Sequence, residues 1–221
     1  MISGRFLRRA GLIAIGGWLA IAAAQGQVVV FSNLTTPNPH GTLVVGSLKS
    51  GGPDTLAAMF IPTGNFNLLD AKVSVASTEA DPSFNVWLAS DAGGSPGTFI
   101  QQIGFGVTAT SPNGSVVTAN SIATTVTLAI GTRYWLVLTP ATTQTLVVWN
   151  QQGASSTVPF AFNKSPTFNS GWQGPFLLDF QFQIDGTSIP TATPVPPSLI
   201  LFFTGLASAG LYHLRRRKRN S

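Results

Sequence analysis

From about residue 27 to residue 188, apolar side chains recur at every second position in short runs, and the runs are separated by clusters of glycine, proline, asparagine and serine. A period of two is the geometry of a strand with one face on a core, whereas a helix repeats near every 3.6 residues. No segment between the two chain ends carries the helical period. VSVAS (73–77), FNVWLAS (84–90), RYWLVLT (133–139), QTLVVWN (144–150) and FLLDFQFQI (176–184) read as strands. Phe84, Val86 and Leu88 are expected on one face, and Phe176, Leu178, Phe180, Phe182 and Ile184 on another. The intervening GGPD, PTGN, DAGGSPG, SPNG and SPTFNSG hold the residues that tight turns require. Roughly ten strands at this spacing predict an all-β fold, a β-sandwich or jelly roll of two antiparallel sheets over residues 25–188.

The sparse charge narrows what such a domain can do. Charged residues make up 9% of the chain, and the formal net charge of +5 comes from its ends. Arg5, Arg8 and Arg9 lie at one end and Arg215, Arg216, Arg217, Lys218 and Arg219 at the other. The interior sets Lys49, Lys72, Arg133 and Lys164 against seven acidic residues, so it is mildly acidic and offers no basic surface for nucleic acid. Cysteine is absent, which excludes disulfides, a thiolate nucleophile and cysteine metal ligands. A domain of about 150 to 170 residues can still be held by its core alone.

Both ends carry export features. MISGRFLRR is a positive n-region and AGLIAIGGWLAIAAA an apolar run closed by small residues. Ala22 and Ala24 fit the −3 and −1 places of a cleavage site, so residues 1–24 are expected to be a secretory signal peptide. The alternative is an uncleaved anchor, but the run is short for a span and its exit lacks stop-transfer charges. Arg8-Arg9 lacks the flanks of a twin-arginine signal, which leaves ordinary secretion.

At the other end, residues 189–197 form a Pro/Thr linker that cannot enter a sheet interior, since proline removes a ladder donor. Residues 198–214 are apolar and, as a helix, about 26 Å long, marginal against a hydrocarbon core of about 30 Å. The basic cluster 215–219, within a tail of residues 215–221, would stay cytoplasmic by the positive-inside rule and leave the β-domain outside. A simple tail anchor is the plainer reading of an apolar run with a basic flank.

Val195-Pro196-Pro197-Ser198, the apolar run from Leu199 to Leu206 and the terminal arginines together resemble the PEP-CTERM sorting tail, although the glutamate of the usual Pro-Glu-Pro is missing. The resemblance covers about 25 residues and has the tripartite order of such tails. It implies recognition at Val195, Pro196, Pro197 and Ser198 by an exosortase-like membrane protease. Transient retention in the inner membrane of a Gram-negative cell would follow, then transfer to the cell surface or an exopolysaccharide matrix. The pieces VFSNL, AAMFIPTGNFNLLDAKVSVA, VWLASDAGGSPGTFI and GTRYWLVLTPATTQTLVVWN resemble the choice-of-anchor β-domains that precede such tails. That likeness implies a shared sandwich and assigns no catalytic residue.

Candidates for chemistry are few, and no cofactor is expected. Gly93-Gly94-Ser95-Pro96-Gly97 matches the nucleophile-elbow pattern, but the following TFIQQIGFG reads as a strand where an elbow needs a helix, and His40 precedes the serine. The expectation is a turn begun by Asp91. A calcium ion there would find one carboxylate and some carbonyls, too few for a built site, so no metal is expected. Glu79 and Asp81 are read as a solvated loop tip, and Asp54, Asp70 and Asp179 as scattered acids. Trp87, Trp135, Trp149 and Trp172 are expected mainly in core packing, with Trp172 in SGWQGP the most exposed and a possible carbohydrate contact. The chain therefore reads as a non-enzymatic structural or adhesive protein of the surface or matrix. A carbohydrate-binding module is the alternative and a secreted hydrolase the third reading.

Overall fold

The structure, a computed structural model, describes residues 26–34, 43–46, 55–77, 81–120, 123–152, 158–164 and 171–190. The signal segment with Ala22 and Ala24, His40, most of the linker and the whole sorting tail lie outside these residues.

The described strands are β1 (Gln27–Ser32), β2 (Val44–Gly46), β3 (Thr55–Phe60), β4 (Phe66–Ala76), β5 (Ser83–Asp91), β6 (Pro96–Thr108), β7 (Ser115–Ala119) and β8 (Thr127–Leu128). They continue with β9 (Tyr134–Pro140), β10 (Leu146–Trp149), β11 (Gln151–Gln152), β12 (Pro159–Asn163), β13 (Gln173–Leu177), β14 (Asp179–Phe180) and β15 (Phe182–Ser188). One sheet of seven strands runs β1-β15-β4-β10-β2, with β7 and β8 also on β4, and a second of six runs β13-β12-β3-β9-β5-β6. β11 and β14 form a two-stranded ribbon. Every pairing is antiparallel, so the all-β, two-sheet architecture expected from the period-two runs is the one observed. The strand pieces outnumber the expected ten because four of them, β2, β8, β11 and β14, are only two or three residues long.

The core lies between the sheets. Ala71, Val73 and Val75 of β4, Phe182 and Ile184 of β15 and Trp149 of β10 share one cluster with Leu56, Ala58 and Phe60 of β3, Phe84, Val86 and Leu88 of β5, and Leu136 and Leu138 of β9. Phe84, Val86 and Leu88 do share a face, and all three are fully buried. Rings supply much of the contact: Phe31 stacks on Phe182 at 4.8 Å and Trp149 on Phe180 at 4.6 Å. Each large apolar side chain placed here contributes about 1.5–3 kcal/mol, which lets a chain without cysteine stand on its core.

The run 176–184 behaves differently from the single strand expected. Its first part, β13, is the edge of the six-stranded sheet, and Phe176 is 45% exposed. Its last part enters β15, between β1 and β4 of the other sheet. The crossing occurs at Gln181, whose N–H donates to Asn150 O (2.9 Å) and whose carbonyl accepts Ser74 N–H (3.1 Å). Asn150 N–H in turn donates to Ser74 O at 2.9 Å. Alternation stays in phase across this junction, but the partner strand changes, so a single apolar pattern serves two sheets.

Candidate functional site

The outer face of the six-stranded sheet carries its own apolar cluster. Register places Ala161, Ala57, Val137 and Trp87 in one row and Met59, Trp135, Ala89 and Phe99 in the next. Ala57, Ala89, Trp135, Val137 and Ala161 are all buried, and the half-buried Met59, Trp87, Phe99 and Trp172 pack against them. Three alanines make a low floor on which large rings can lie, and Trp87 and Phe99 do so in a stack with centroids 5.1 Å apart and planes 21° off parallel. Trp172, expected to be the most exposed tryptophan, is half-buried and belongs to this cluster.

Asp91 stands at the end of the same face. Its Oδ1 accepts the Trp135 indole N–H at 2.8 Å, and both carboxylate oxygens lie within hydrogen-bonding reach of Gly94 N–H, at 3.1 and 3.2 Å. Ala92 N–H donates to Ser95 O at 2.8 Å, closing the reversal between β5 and β6. Gly93 and Gly94 hold φ of 73° and 96°, angles that side chains with a Cβ seldom adopt. DAGGSPG is therefore a hairpin turn begun by Asp91, and Ser95 sits between two strands and not at the entry to a helix. The Asp91 carboxylate that a calcium ion would need is already engaged by two donors.

The remaining acids separate into different settings. Asp81 accepts bonds from the backbone and hydroxyl of Ser83 and from the Thr142 hydroxyl, which pins the loop before β5 to the turn after β9. These hydrogen bonds, the Ser83 hydroxyl first, hold its carboxyl below the ordinary value of 3.8. Asp179 Oδ1 accepts Asn33 Nδ2–H at 3.0 Å, part of a clamp on the end of β1. Asp54 and Glu79 lie outside the described residues.

Asp70 meets a partner that sequence reading passed over. In the β4–β15 ladder it stands directly opposite Asp185, and Lys72 stands opposite Gln183. Lys72 Nζ reaches diagonally to an ion pair with Asp185 Oδ2, and the Asp185 side chain is 1% exposed against 28% for Lys72. Gln183 Nε2–H approaches both Asp185 oxygens, Oδ1 at 2.8 Å and Oδ2 at 3.0 Å. The Ser32 hydroxyl donates to Gln183 Oε1 at 3.1 Å, which orients the amide so that its nitrogen faces Asp185. Asp70 Oδ1 is buried and receives no bond from an N–H or hydroxyl donor among the described residues, while the Asp70 carboxyl lies within hydrogen-bonding reach of Asp185. Burial, and next the charge of Asp185, push the Asp70 carboxyl above its ordinary value. Burial also acts upward on Asp185, but the hydrogen bonds from Lys72 and Gln183 outweigh it and hold that carboxyl down. The two acids thus differ in proton affinity, because only Asp185 has the lysine and amide donors. The available signal was a lysine and an aspartate at alternate positions within strand-forming segments of a chain with very few interior charges.

No protein-family model and no curated protein matches this chain.

Proposed function

We propose that this protein is an exported structural or adhesive component of the cell surface or exopolysaccharide matrix, retained at the inner membrane and then processed through its carboxyl-terminal signal. The observation that carries this reading is the place of β15. It ends at Ser188, immediately before the Pro/Thr linker, and it lies inside the seven-stranded sheet, with β1 on one side and β4 on the other. Load arriving through a tail attached there is shared by two ladders, an arrangement suited to a tethered module. Peptide coverage and intact mass of the protein recovered from the cell surface test the reading. Loss of the residues beyond about Pro197 supports processing by an exosortase-like protease; a chain retained through Ser221 would instead be a permanent inner-membrane anchor.

Carbohydrate binding is a second reading, favoured by the aromatic cluster on the outer face of the six-stranded sheet. Trp87, Phe99 and Trp172 are half-buried rings gathered on one face, and ring faces pack against the CH groups of sugars. A Trp87→Ala variant should lose about tenfold in retardation by exopolysaccharide in affinity electrophoresis, the equivalent of about 1.4 kcal/mol. Unchanged mobility of a folded variant would remove this face from consideration.

A further inference from the structure

We propose that Lys72 and Asp185 condense into an intramolecular amide that covalently joins β4 to β15, with Asp70 relaying the proton and Gln183 steadying the oxyanion. The inference does not depend on where the protein is sorted.

The parts of an acyl-transfer site are assembled on the outer face of three adjacent strands, β1, β15 and β4. Lys72 Nζ already contacts the Asp185 carboxylate, so the nucleophile is positioned beside its electrophile without an encounter step. Gln183 Nε2–H lies 2.8 Å from Asp185 Oδ1, where negative charge would gather once nitrogen adds to Cγ. Ser32 keeps that donor aimed by holding the opposite end of the amide. Asp70, opposite Asp185 and close enough to share a hydrogen bond with its carboxyl, is the one acid in the group placed to take a proton and return it.

The step balances within the chain. A proton of the Lys72 ammonium passes by way of Asp70 to Asp185, so that a neutral amine faces a neutral carboxylic acid, and a bond then forms from Nζ to Asp185 Cγ. The adduct loses a second N–H proton, and Oδ2 departs with two hydrogens as water as the C–O bond breaks. Asp70 ends as it began. An ammonium and a carboxylate become a neutral secondary amide plus one water, without oxidant, reductant or external group. The ion pair holds the lysine charged and the Asp185 carboxyl ionised most of the time, which makes the reaction slow. A bond that has to form only once per molecule tolerates a slow rate.

The consequence matches what the chain lacks. Cysteine is absent, and Lys72 and Asp185 are 113 positions apart. An amide between them would close a long loop, as a disulfide does, and restrict the unfolded chain in the same way. It would also fix the strand that leads into the linker to the centre of its sheet.

Peptide mapping of the full-length protein after its folding, with cooperative melting as the proof of fold, tests the proposal. The expected result is a tryptic peptide pair joined through Lys72 and Asp185, lighter by one water, about 18 Da, with cleavage after Lys72 blocked. Lys72→Arg keeps the charge pair and should give no linked peptide. Asp70→Asn, which keeps the shape of the side chain, should remain folded and form the link about 100-fold more slowly. Separate Lys72 and Asp185 peptides from the folded wild-type chain would overturn the bond and leave an ion pair only. Link formation at the wild-type rate in Asp70→Asn would overturn the relay.

Discussion

Asn33 spends its whole side chain on the chain's own backbone and neighbours. Its Nδ2 donates to Phe180 O at 2.7 Å and to Asp179, while its Oδ1 accepts Phe182 N–H at 2.8 Å. One amide thereby closes the end of β1 onto the point where β14 passes into β15. Asp81 does similar work at another loop, and its lowered pKa gives that role a pH signature. A carboxyl held below its unfolded value adds stability above the ordinary pKa and loses it as pH falls through the folded one. The difference in melting temperature between wild type and Asp81→Asn should therefore be constant from neutral pH down to the region above 3.8 and shrink below it. A difference that persists unchanged into strong acid would show that the charge of Asp81 is not what holds the loop. Neither role was legible in the sequence. Asn33 lies in an Asn-Leu-Thr triplet and Asp81 beside a proline, local settings that do not say which carbonyl or hydroxyl the fold delivers to them.

At the scale of the strand, alternation was a sound guide to which residues face inward and a poor one to where a strand begins, ends or finds its partner. β4 reaches back to Phe66, well before the VSVAS run, and its apolar pattern changes phase on the way because the register with β15 shifts between Leu68 and Asp70. The run 176–184 divides between two sheets because the backbone groups of Gln181 are taken by Asn150 and Ser74. Gly46 shows how tightly an element can depend on one residue. It ends β2 with φ of 118°, and a Cβ built there would lie 1.7 Å from Thr145 O. That contact is with backbone and cannot be relieved by a rotamer change, so Gly46→Ala should detach β2 from β10 and cost at least about 2 kcal/mol. Urea unfolding with amide exchange of residues 44–46 would check this, and an unshifted midpoint with protected amides would contradict it.

For the whole molecule, two sheets enclose one core, and the second apolar cluster on the outer face of the six-stranded sheet is separate from it. Under the proposed sorting, export, retention and processing would act on the chain as a unit. Deleting residues 215–221 should abolish membrane retention and leave the carboxyl-terminal signal unprocessed, read as a larger, released species in fractionated cells. Normal maturation of the truncated chain would argue against positive-inside retention of this tail.

The sequence by itself determined the all-β class, the inward faces of its principal strands and the turn chemistry of DAGGSPG. Side-chain alternation and the backbone freedom of glycine act over a few residues and need no knowledge of the rest of the chain. Tertiary structure alone decided that FLLDFQFQI crosses between sheets, that Trp172 joins Trp87 and Phe99, and that Asp70, Lys72, Gln183 and Asp185 form one cluster. Those outcomes depend on pairing between strands distant in the chain, more than a hundred residues apart for β4 and β15. A register is set by the packing of both sheets together, and a shift of one residue would turn every one of these side chains to the opposite face.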